Sequence, residues 1–499
     1  MNEYKYLYAA SVKGIQDFIF KTNKLKEIVG ASALVDAIFN SRTGNKSLFQ
    51  QFCEEKQIAW EDLELIVAAA GNLQCKVRYE RDCEKIVKEF PKYISSLAPG
   101  LAITQTVVQI KEKEGVRAID WGELLQKVNA NLQAQRNKGQ VLKEPPYMGV
   151  MKERRVGEAV VKIGSGNVYV GLNTKAKLDF AEGENLESFF QEFVGSEGKP
   201  SVHQLRFDFL AEDRWLAVIH ADGNNVGKRI IEFINENKAD ADVKLSNFSR
   251  ALQQATKKAV NEACAKVVEQ LGNEGANPYP FRPIILGGDD ITVVVRADKA
   301  MDFVIAYLKA FEKETKLVKE FGGGFTASAG VAFMKHNFPF HYAARMAYEL
   351  TEAAKATSKK INDERPPSSL CLYKIQSSFV DSLDEMRKRT HWAGNRPVFY
   401  DDAYFLELDD SLNGQYYSIF DLMDKLKNLK KAGSQDQMAL SKLRQYLDMV
   451  KEDSGQSGFL LDRMEEKNKW LVDTLQIRKT LDGKKSILFD VLQLYSMIR

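Results

Sequence analysis

The pattern of apolar and polar positions divides the second half of the chain into a regular series of strands and helices. A short apolar run at 216–220 predicts a strand, and residues 246–271 have apolar positions at helical spacing behind a serine that can cap the helix. Two β-branched runs at 281–286 and 291–295, separated by a glycine-containing turn, predict a hairpin. A helix at 298–321, a strand at 325–333 and a helix at 339–358 complete the series.

The same order occurs earlier in the chain, as a strand at 4–10, a helix at 15–39, a hairpin at 64–77, a helix at 82–96, a strand at 101–110 and a helix at 121–136. When the two series are aligned, the turn Ala69-Ala70-Gly71-Asn72 falls at the position of Gly287-Gly288-Asp289-Asp290. The order βαββαβ is ferredoxin-like, a four-stranded antiparallel sheet with helices on one face. The sequence therefore predicts two duplicated modules, of which only the second carries carboxylates in its hairpin turn.

The predicted fold class is α+β, with two ferredoxin-like modules of the palm type found in polymerases and cyclases. We predict a first, catalytically degenerate palm at 1–137, an inserted linker or small domain at 138–213, a second palm with the active site at 214–375 and a mainly helical C-terminal domain at 376–499. Helical spacing dominates the chain from Tyr416 onward.

Composition indicates a soluble globular protein of several domains, since 44% of the 499 residues are hydrophobic and 28% are charged. The net charge of +3 does not favour nucleic acid or an anionic membrane as a partner of the whole chain. The basic stretch from Arg136 to Arg155, with Lys138, Lys143, Lys152 and Arg154, is a local candidate for RNA binding, or a solvated linker.

No targeting or metal-binding cysteine pattern is present in the sequence. The five cysteines form no CxxC pair, so we expect reduced thiols in the core. The N-terminus shows no signal peptide and no apolar run approaches the ~20 residues that span a bilayer, which predicts a cytoplasmic protein with no membrane contact.

The turn Gly287-Gly288-Asp289-Asp290 is the main chemical feature. Nucleotidyl transfer depends on positioning and on neutralising charge, and two Mg²⁺ ions held by two or three carboxylates can do both. Asp222, at the end of the strand at 216–220, is the candidate third carboxylate, so Asp222, Asp289 and Asp290 are the predicted catalytic and metal-binding residues, with Mg²⁺ or Mn²⁺ as cofactor. Alternatively, a turn of this composition simply closes a hairpin.

Six further residues are predicted to contact the nucleotide. Gly287 and Gly288 can adopt positive φ and leave room for a sugar or base, and Gly223 opens a loop, Gly-Asn-Asn-Val-Gly-Lys, suited to phosphate. Lys228 and Lys355 can meet a triphosphate as point charges, and Ser328 can face the nucleotide. The alternatives are exposed lysines and a small residue needed for strand packing. None of the five histidines has metal-ligand spacing, and none is assigned to catalysis.

At these motifs the chain resembles the palm-domain large subunit of type III CRISPR effector complexes, the cyclic oligoadenylate synthetase family. The segment at 216–228 is similar to that family's strand and Asp-Gly-Asp-x-x-Gly-Lys loop, 283–295 to its GGDD hairpin, and 325–355 to its Ser-Ala-Gly strand and following helix. Ile15-Gln16-Asp17-Phe18-Ile19 and Gly30-Ala31-Ser32 resemble its first, catalytically empty palm. The resemblance covers roughly residues 4–375.

The resemblance implies the conversion of ATP into cyclic oligoadenylate, a second messenger of antiviral defence, with guide or target RNA and other effector subunits as partners. Three departures are expected: no N-terminal HD nuclease domain, no zinc-binding cysteines between the palms, and Asn224 where the family often has a second acid. A stand-alone cyclic dinucleotide synthase, a homodimer, a non-catalytic RNA-binding scaffold and a diguanylate cyclase remain alternatives, the last disfavoured because Ile291 follows Asp290.

Overall fold

The structure, a computed structural model, describes residues 4–41, 46–69, 71–111, 119–138, 149–153, 157–164, 168–194, 215–271, 278–376, 382–433, 437–452, 454–481 and 485–497. The chain forms two compact units. The first consists of Met1–Phe207, Asn225–Val293 and Ala310–Phe325, and the second of Asp208–Asn224, Val294–Lys309 and Thr326–Arg499.

The first module has the element order that its sequence predicts. Its elements are β1 (Tyr6–Lys13), α1 (Ile15–Phe20), α2 (Leu25–Ala37), α3 (Leu48–Glu55), β2 (Leu63–Ala69), β3 (Asn72–Val77), α4 (Glu80–Leu97), β4 (Ala102–Gln109) and α5 (Trp121–Asn137). Helix α3, which was not predicted, starts with a capping box in which Ser47 accepts from the Gln50 amide and the Gln50 side chain accepts from the Ser47 amide.

The insert and the second module follow in the expected order. They contain β5 (Val160–Gly164), β6 (Val168–Gly171), α6 (Leu172–Phe180), α7 (Gly183–Val194), β7 (Trp215–Gly223), α8 (Val226–Glu236), α9 (Ala241–Glu269), β8 (Phe281–Gly287), β9 (Asp290–Arg296), α10 (Ala297–Lys316), β10 (Ala327–Lys335) and α11 (Phe340–Ile361). Helix α8 begins beside Lys228, where the sequence left a phosphate loop and a helix start as alternatives.

The remaining elements form the C-terminal part. They are β11 (Ser369–Lys374), α12 (Leu383–His391), β12 (Trp392–Ala393), β13 (Arg396–Pro397), β14 (Tyr404–Phe405), β15 (Tyr417–Ser418), α13 (Ile419–Gly433), α14 (Gln437–Glu452), α15 (Ser454–Leu475) and α16 (Leu488–Tyr495). The four helices after Tyr417 agree with the predicted helical C-terminus.

Both modules have the ferredoxin-like strand order, which confirms the predicted α+β fold. The four-stranded sheet of the first module has the order β2-β3-β1-β4, and a seven-stranded sheet has the order β15-β14-β11-β10-β7-β9-β8. Its last four strands repeat the first sheet with β10, β7, β9 and β8 in place of β4, β1, β3 and β2. Strand β11 extends this sheet by pairing parallel to β10.

Helices cover both faces of the first sheet, which corrects the prediction that they lie on one face. Leu7 and Ala9 point into a core with Trp121 and Leu125 of α5. Tyr8, between them, points to the other face, because successive strand residues alternate. Its hydroxyl donates to Gln105, whose side-chain amide donates to the Val87 carbonyl of α4 at 2.7 Å. Helix α5 follows the fourth strand, and the hydrophobic periodicity did not predict which face of the sheet this helix would cover.

The cysteines behave as the sequence predicts. All five are buried and form no disulfide. Burial raises the pKa of Cys53 to about 12 and that of Cys371 to about 11, so these thiols are protonated at neutral pH. Within the described ranges, no helix combines the length and the apolar character needed to cross a membrane.

We expect Gly330→Ala to destabilise the second unit, because a Cβ at this position of β10 would lie 2.0 Å from the Ala347 carbonyl oxygen of α11. Overpacking of this kind costs about 1–3 kcal/mol, so the melting temperature in a thermal scan should fall by several degrees. Gly458→Ala in α15 is the control, since its Cβ would meet nothing within 4 Å. Unfolding of the Gly330→Ala protein at the wild-type temperature would disprove this close approach.

Candidate active site

Asp222 lies at the carboxyl end of β7, where the strand changes from apolar to polar. Residues 216–219 are almost completely buried, whereas the Asp222 side chain is 28% exposed. Antiparallel pairing of β7 with β10 places Asp222 opposite Ser328, so both side chains lie on one face of the sheet. The structure thus brings two of the predicted site residues together.

Lys355 reaches the same place from α11. Its ammonium forms an ion pair and hydrogen bond with Asp222 Oδ2, and its side chain is 18% exposed. A charge-assisted hydrogen bond in such a partly buried position orients a carboxylate more strongly than an exposed pair does. Lys355 was predicted to bind a triphosphate, and its pairing with Asp222 was not predicted.

The path of α11 explains how Lys355 comes to Asp222. Gly330 of β10 lies directly under Ala347, and the Thr351 hydroxyl donates to the His220 carbonyl of β7 at 3.0 Å. Ala347, Thr351 and Lys355 are spaced four residues apart and therefore share one face of the helix. His220 is buried and packs against Tyr348, with ring centroids 5.6 Å apart.

Asn224 is a site residue whose role sequence reasoning missed. It is 3% exposed, its amide nitrogen donates to Thr326 Oγ1 at 2.9 Å, and its carbonyl oxygen accepts from the Ser328 hydroxyl at 3.0 Å. A carboxylate cannot donate and accept in this way, so the neutral amide suits the position where the resembled family often has an acid. The signal available in sequence was the pair of hydroxyl residues, Thr326 and Ser328, in an otherwise apolar strand.

Ser328 is fully buried, so in this conformation its side chain is not accessible to a nucleotide. Its hydroxyl lies 3.1 Å from that of Ser369, which in turn lies 2.7 Å from the Ser358 hydroxyl of α11. These two contacts link strands β10 and β11 to helix α11. Nucleotide contact by Ser328 stays a prediction, and it would require this network to open.

The predicted carboxylate turn lies between β8 and β9 in the first unit. Gly287 ends β8, Gly288 and Asp289 form the turn, and Asp290 begins β9. Gly288 has φ +56 and open space where a Cβ would stand, as a two-residue hairpin turn favours. Asp289 and Asp290 are both partly exposed, which suits metal ligands.

Lys228 lies in the first turn of α8, and its side chain is exposed. The loop before it contains Gly223 and Asn225, and Asn225 adopts the left-handed conformation with φ +57. The position of Lys228 at a helix start was expected. Its contact with a phosphate remains a prediction.

In the described part of the chain, no three or more His, Cys, Asp or Glu side chains are arranged as a ready metal cluster. Each of Asp222, Asp289 and Asp290 offers carboxylate oxygens, the ligand type that Mg²⁺ prefers, and Mg²⁺ usually keeps water and substrate phosphate as its other ligands. Asp222 already binds a cationic group, the ammonium of Lys355.

The first module shows the same strand positions without acids. Ser11 of β1 lies opposite Asn72 of β3 and Thr104 of β4, as the register of the two strand pairs requires. The Ser11 hydroxyl donates to Asn72 Oδ1 at 2.7 Å. Ser11 lies three residues before Gly14, the left-handed N-cap of α1, as Asp222 lies three residues before Asn225, the left-handed N-cap of α8. Asn72 takes the place of Asp290 in the aligned hairpin turns, so the first module holds a neutral hydrogen bond there.

The basic stretch from Arg136 to Arg155 is only partly described. Arg136, Lys138 and Lys152 are exposed, while Lys143 and the pair at 154–155 lie outside the described residues. RNA binding by this stretch stays a prediction.

Comparison with known proteins identifies relatives of the second module. Residues 215–362 match the model for the second palm domain of Cas10/Cmr2. A curated relative, the CRISPR system single-strand-specific deoxyribonuclease Cas10/Csm1 (subtype III-A) of Mycobacterium tuberculosis (strain ATCC 25618 / H37Rv), is 28% identical over 150 residues. The match spans 29% of this chain and 18% of that protein.

Solved structures show the same fold over the whole chain. A Csm1-Csm4 cassette in complex with AMPPNP has a TM-score of 0.51 at 16% identity, and one in complex with cA4 has a TM-score of 0.50 at 15% identity. Each alignment covers 100% of this chain and 70% of the solved chain. The resemblance stated from the sequence is confirmed: residues 215–362 match the second palm domain of Cas10/Cmr2, and the chain as a whole has the fold of Csm1 from type III CRISPR systems.

Proposed function

We propose that this protein is a Mg²⁺-dependent nucleotidyltransferase that joins ATP through 3′–5′ linkages into cyclic oligoadenylate as part of a CRISPR-type defence. The observation that carries the proposal is the contrast between the two modules. The same fold occurs in two copies. The first copy has Ser11 in β1 and Asn72 at the start of β3. The second has Asp222 in β7 and Asp290 at the start of β9.

The strand order supports joint action of the three aspartates. Asp222 is the last residue but one of β7, and the strand beside β7 in the sheet is β9, which Asp290 begins. In the first module, the corresponding residues Ser11 and Asn72 are in hydrogen-bond contact. We infer that Asp222, Asp289 and Asp290 together hold the metal. Mg²⁺ bound there would favour ionisation of a 3′-hydroxyl and neutralise charge on the leaving pyrophosphate.

Other residues of the second module would position the nucleotide. Lys355 holds the Asp222 carboxylate and supplies positive charge near a triphosphate, and Lys228 offers a second ammonium at the start of α8. Gly223, Gly287 and Gly288 keep the backbone open to the substrate. The solved relatives bind AMPPNP and cA4 by their own descriptions, which favours ATP as the substrate class here. Their pairing with Csm4 suggests a partner subunit of that kind.

Asp289→Asn and Asp290→Asn should each abolish product formation from ATP, because neither amide replaces a negatively charged metal ligand. The assay incubates the full chain with labelled ATP and Mg²⁺, with and without target RNA, and identifies products by mass spectrometry. The exposed Asp410→Asn is the control and should leave the yield unchanged. Melting temperatures should stay near wild type, because both aspartates are partly exposed.

Two outcomes would contradict the proposal. One is an absence of oligonucleotide product from every ribonucleoside triphosphate in protein that unfolds cooperatively and binds metal. The other is RNA binding that falls steeply with salt and ignores both substitutions, which would indicate a scaffold subunit. Formation of a cyclic dinucleotide, or of a product from GTP, would agree with the proposed enzyme class but would change the proposed product.

Lys355→Gln should reduce kcat/KM for ATP by roughly ten- to a hundredfold, since a hydrogen bond to a charged group contributes about 1.5–3 kcal/mol. Lys355→Arg should retain more activity because it keeps the positive charge beside Asp222. Lys359→Gln, an exposed lysine one turn further along α11, is the matched control. Equal kcat/KM for the Lys355→Gln and Lys359→Gln proteins would exclude a role for the ion pair.

A further inference from the structure

The carboxylate hairpin has an outer strand whose far side is covered by helices of the same unit. Strand β8 is the last strand in the order of the larger sheet, with β9 on its inner side. Edge strands leave alternate carbonyl and amide groups without a ladder partner, so on a covered edge the carbonyls need other donors and the amides other acceptors. Two helical hydroxyls perform this task on β8 and its turn.

The first hydroxyl belongs to Thr256 of α9. Its side chain is completely buried, and Oγ1 donates to the Gly288 carbonyl oxygen at 2.7 Å. The Gly288 carbonyl and the Asp289 amide are parts of one planar peptide group. A hydrogen bond to that carbonyl therefore sets the orientation of the peptide plane from which the Asp289 side chain projects.

The second hydroxyl comes from the first module. Ser32 of α2 is 4% exposed and donates to the Ile284 carbonyl in the middle of β8. This hydrogen bond is a physical reason for a serine at the third position of the motif Gly30-Ala31-Ser32. A Cβ on Gly30 would lie 1.9 Å from the Lys177 carbonyl oxygen, so α6 packs directly on α2 at that residue. Because positions two apart point to nearly opposite sides of a helix, α2 is held between α6 and β8.

We propose that Ser32 and Thr256 are positioning residues that form a hydroxyl clamp on the Asp289-Asp290 hairpin, and that the degenerate first module serves the active one by supplying Ser32. The proposal rests on the proposed function for its kinetic consequence. The hydroxyl clamp itself is defined by the two side-chain-to-backbone hydrogen bonds and can be measured without substrate.

The test compares Thr256→Val, which has the same shape without a donor, with Thr256→Ser, which keeps the hydroxyl. Hydrogen–deuterium exchange followed by mass spectrometry should show about tenfold faster exchange in the segment 284–291 of the Thr256→Val protein, the effect of one lost hydrogen bond. The Thr256→Ser protein should exchange as wild type. Ser32→Ala should accelerate exchange in the same segment.

Thr315→Val is the control for loss of a buried hydroxyl elsewhere in this unit. The Thr315 hydroxyl bonds to the Phe311 and Phe325 carbonyls, away from the hairpin. This variant should lower the melting temperature and leave exchange at 284–291 unchanged. Equal acceleration by Thr256→Val and Thr315→Val would overturn the hydroxyl clamp, because it would show a general loss of stability. Unchanged exchange in the Thr256→Val protein would overturn it as well.

Kinetics provide the second readout. With ATP, Thr256→Val should lower kcat about tenfold and leave KM within about twofold, since the turn and not the substrate contact is altered. Thr256→Ser should restore kcat. Full kcat in the Thr256→Val protein would overturn the positioning role. If wild-type protein makes no product, the proposed function fails, and the exchange experiment still decides whether the hydroxyl clamp exists.

Discussion

The close approach of α11 to β10 at Gly330 is the contact on which the surroundings of Asp222 depend. Any side chain larger than hydrogen at this residue would meet the Ala347 carbonyl at 2.0 Å. With the helix axis set there, Thr351 comes to the His220 carbonyl and Lys355, one turn later, comes to Asp222. The same helix then brings Ser358 to Ser369 of β11. One glycine thus determines which cation faces the candidate catalytic carboxylate.

The duplicated module separates what the fold requires from what chemistry requires. Both modules place a helix after the fourth strand, and both place polar side chains opposite each other on the first and fourth strands, Ser11 with Thr104 and Asp222 with Ser328. In the first module Asn72, Ser11 and Thr104 are neutral, so this sheet forms without any acid at those positions. Desolvating a carboxylate is costly unless a cation compensates it. The acids of the second module therefore indicate a cationic partner, and Lys355 is the one that the structure shows for Asp222.

Local pattern predicted most of the fold, and long-range packing produced what it missed. The hairpin expected at 281–286 and 291–295 is found at Phe281–Gly287 and Asp290–Arg296, because β-branched runs and a glycine turn are local signals. Helix α8 was given no bounds from the sequence because the residues around its first turn were interpreted as a phosphate loop. The Asp222–Lys355 pair joins residues 133 positions apart and depends on strand register and helix placement, which no single segment encodes. The burial of Ser328 has the same origin.

Asn224 links the departure from the family motif to the charge of the site. Its amide donates to Thr326 while its carbonyl accepts from Ser328, so these two hydroxyl residues and the neutral side chain form one compatible set. An acid at 224 would lose the donation to Thr326 and add a buried negative charge. Asn224 is neutral, and Asp222, which is paired with Lys355, is proposed to hold the metal together with Asp289 and Asp290. In the proposed metal site, the orientation of this turn sets where the Asp289 and Asp290 carboxylates would meet a cation, and the Thr256 hydroxyl donates to the Gly288 carbonyl of that turn.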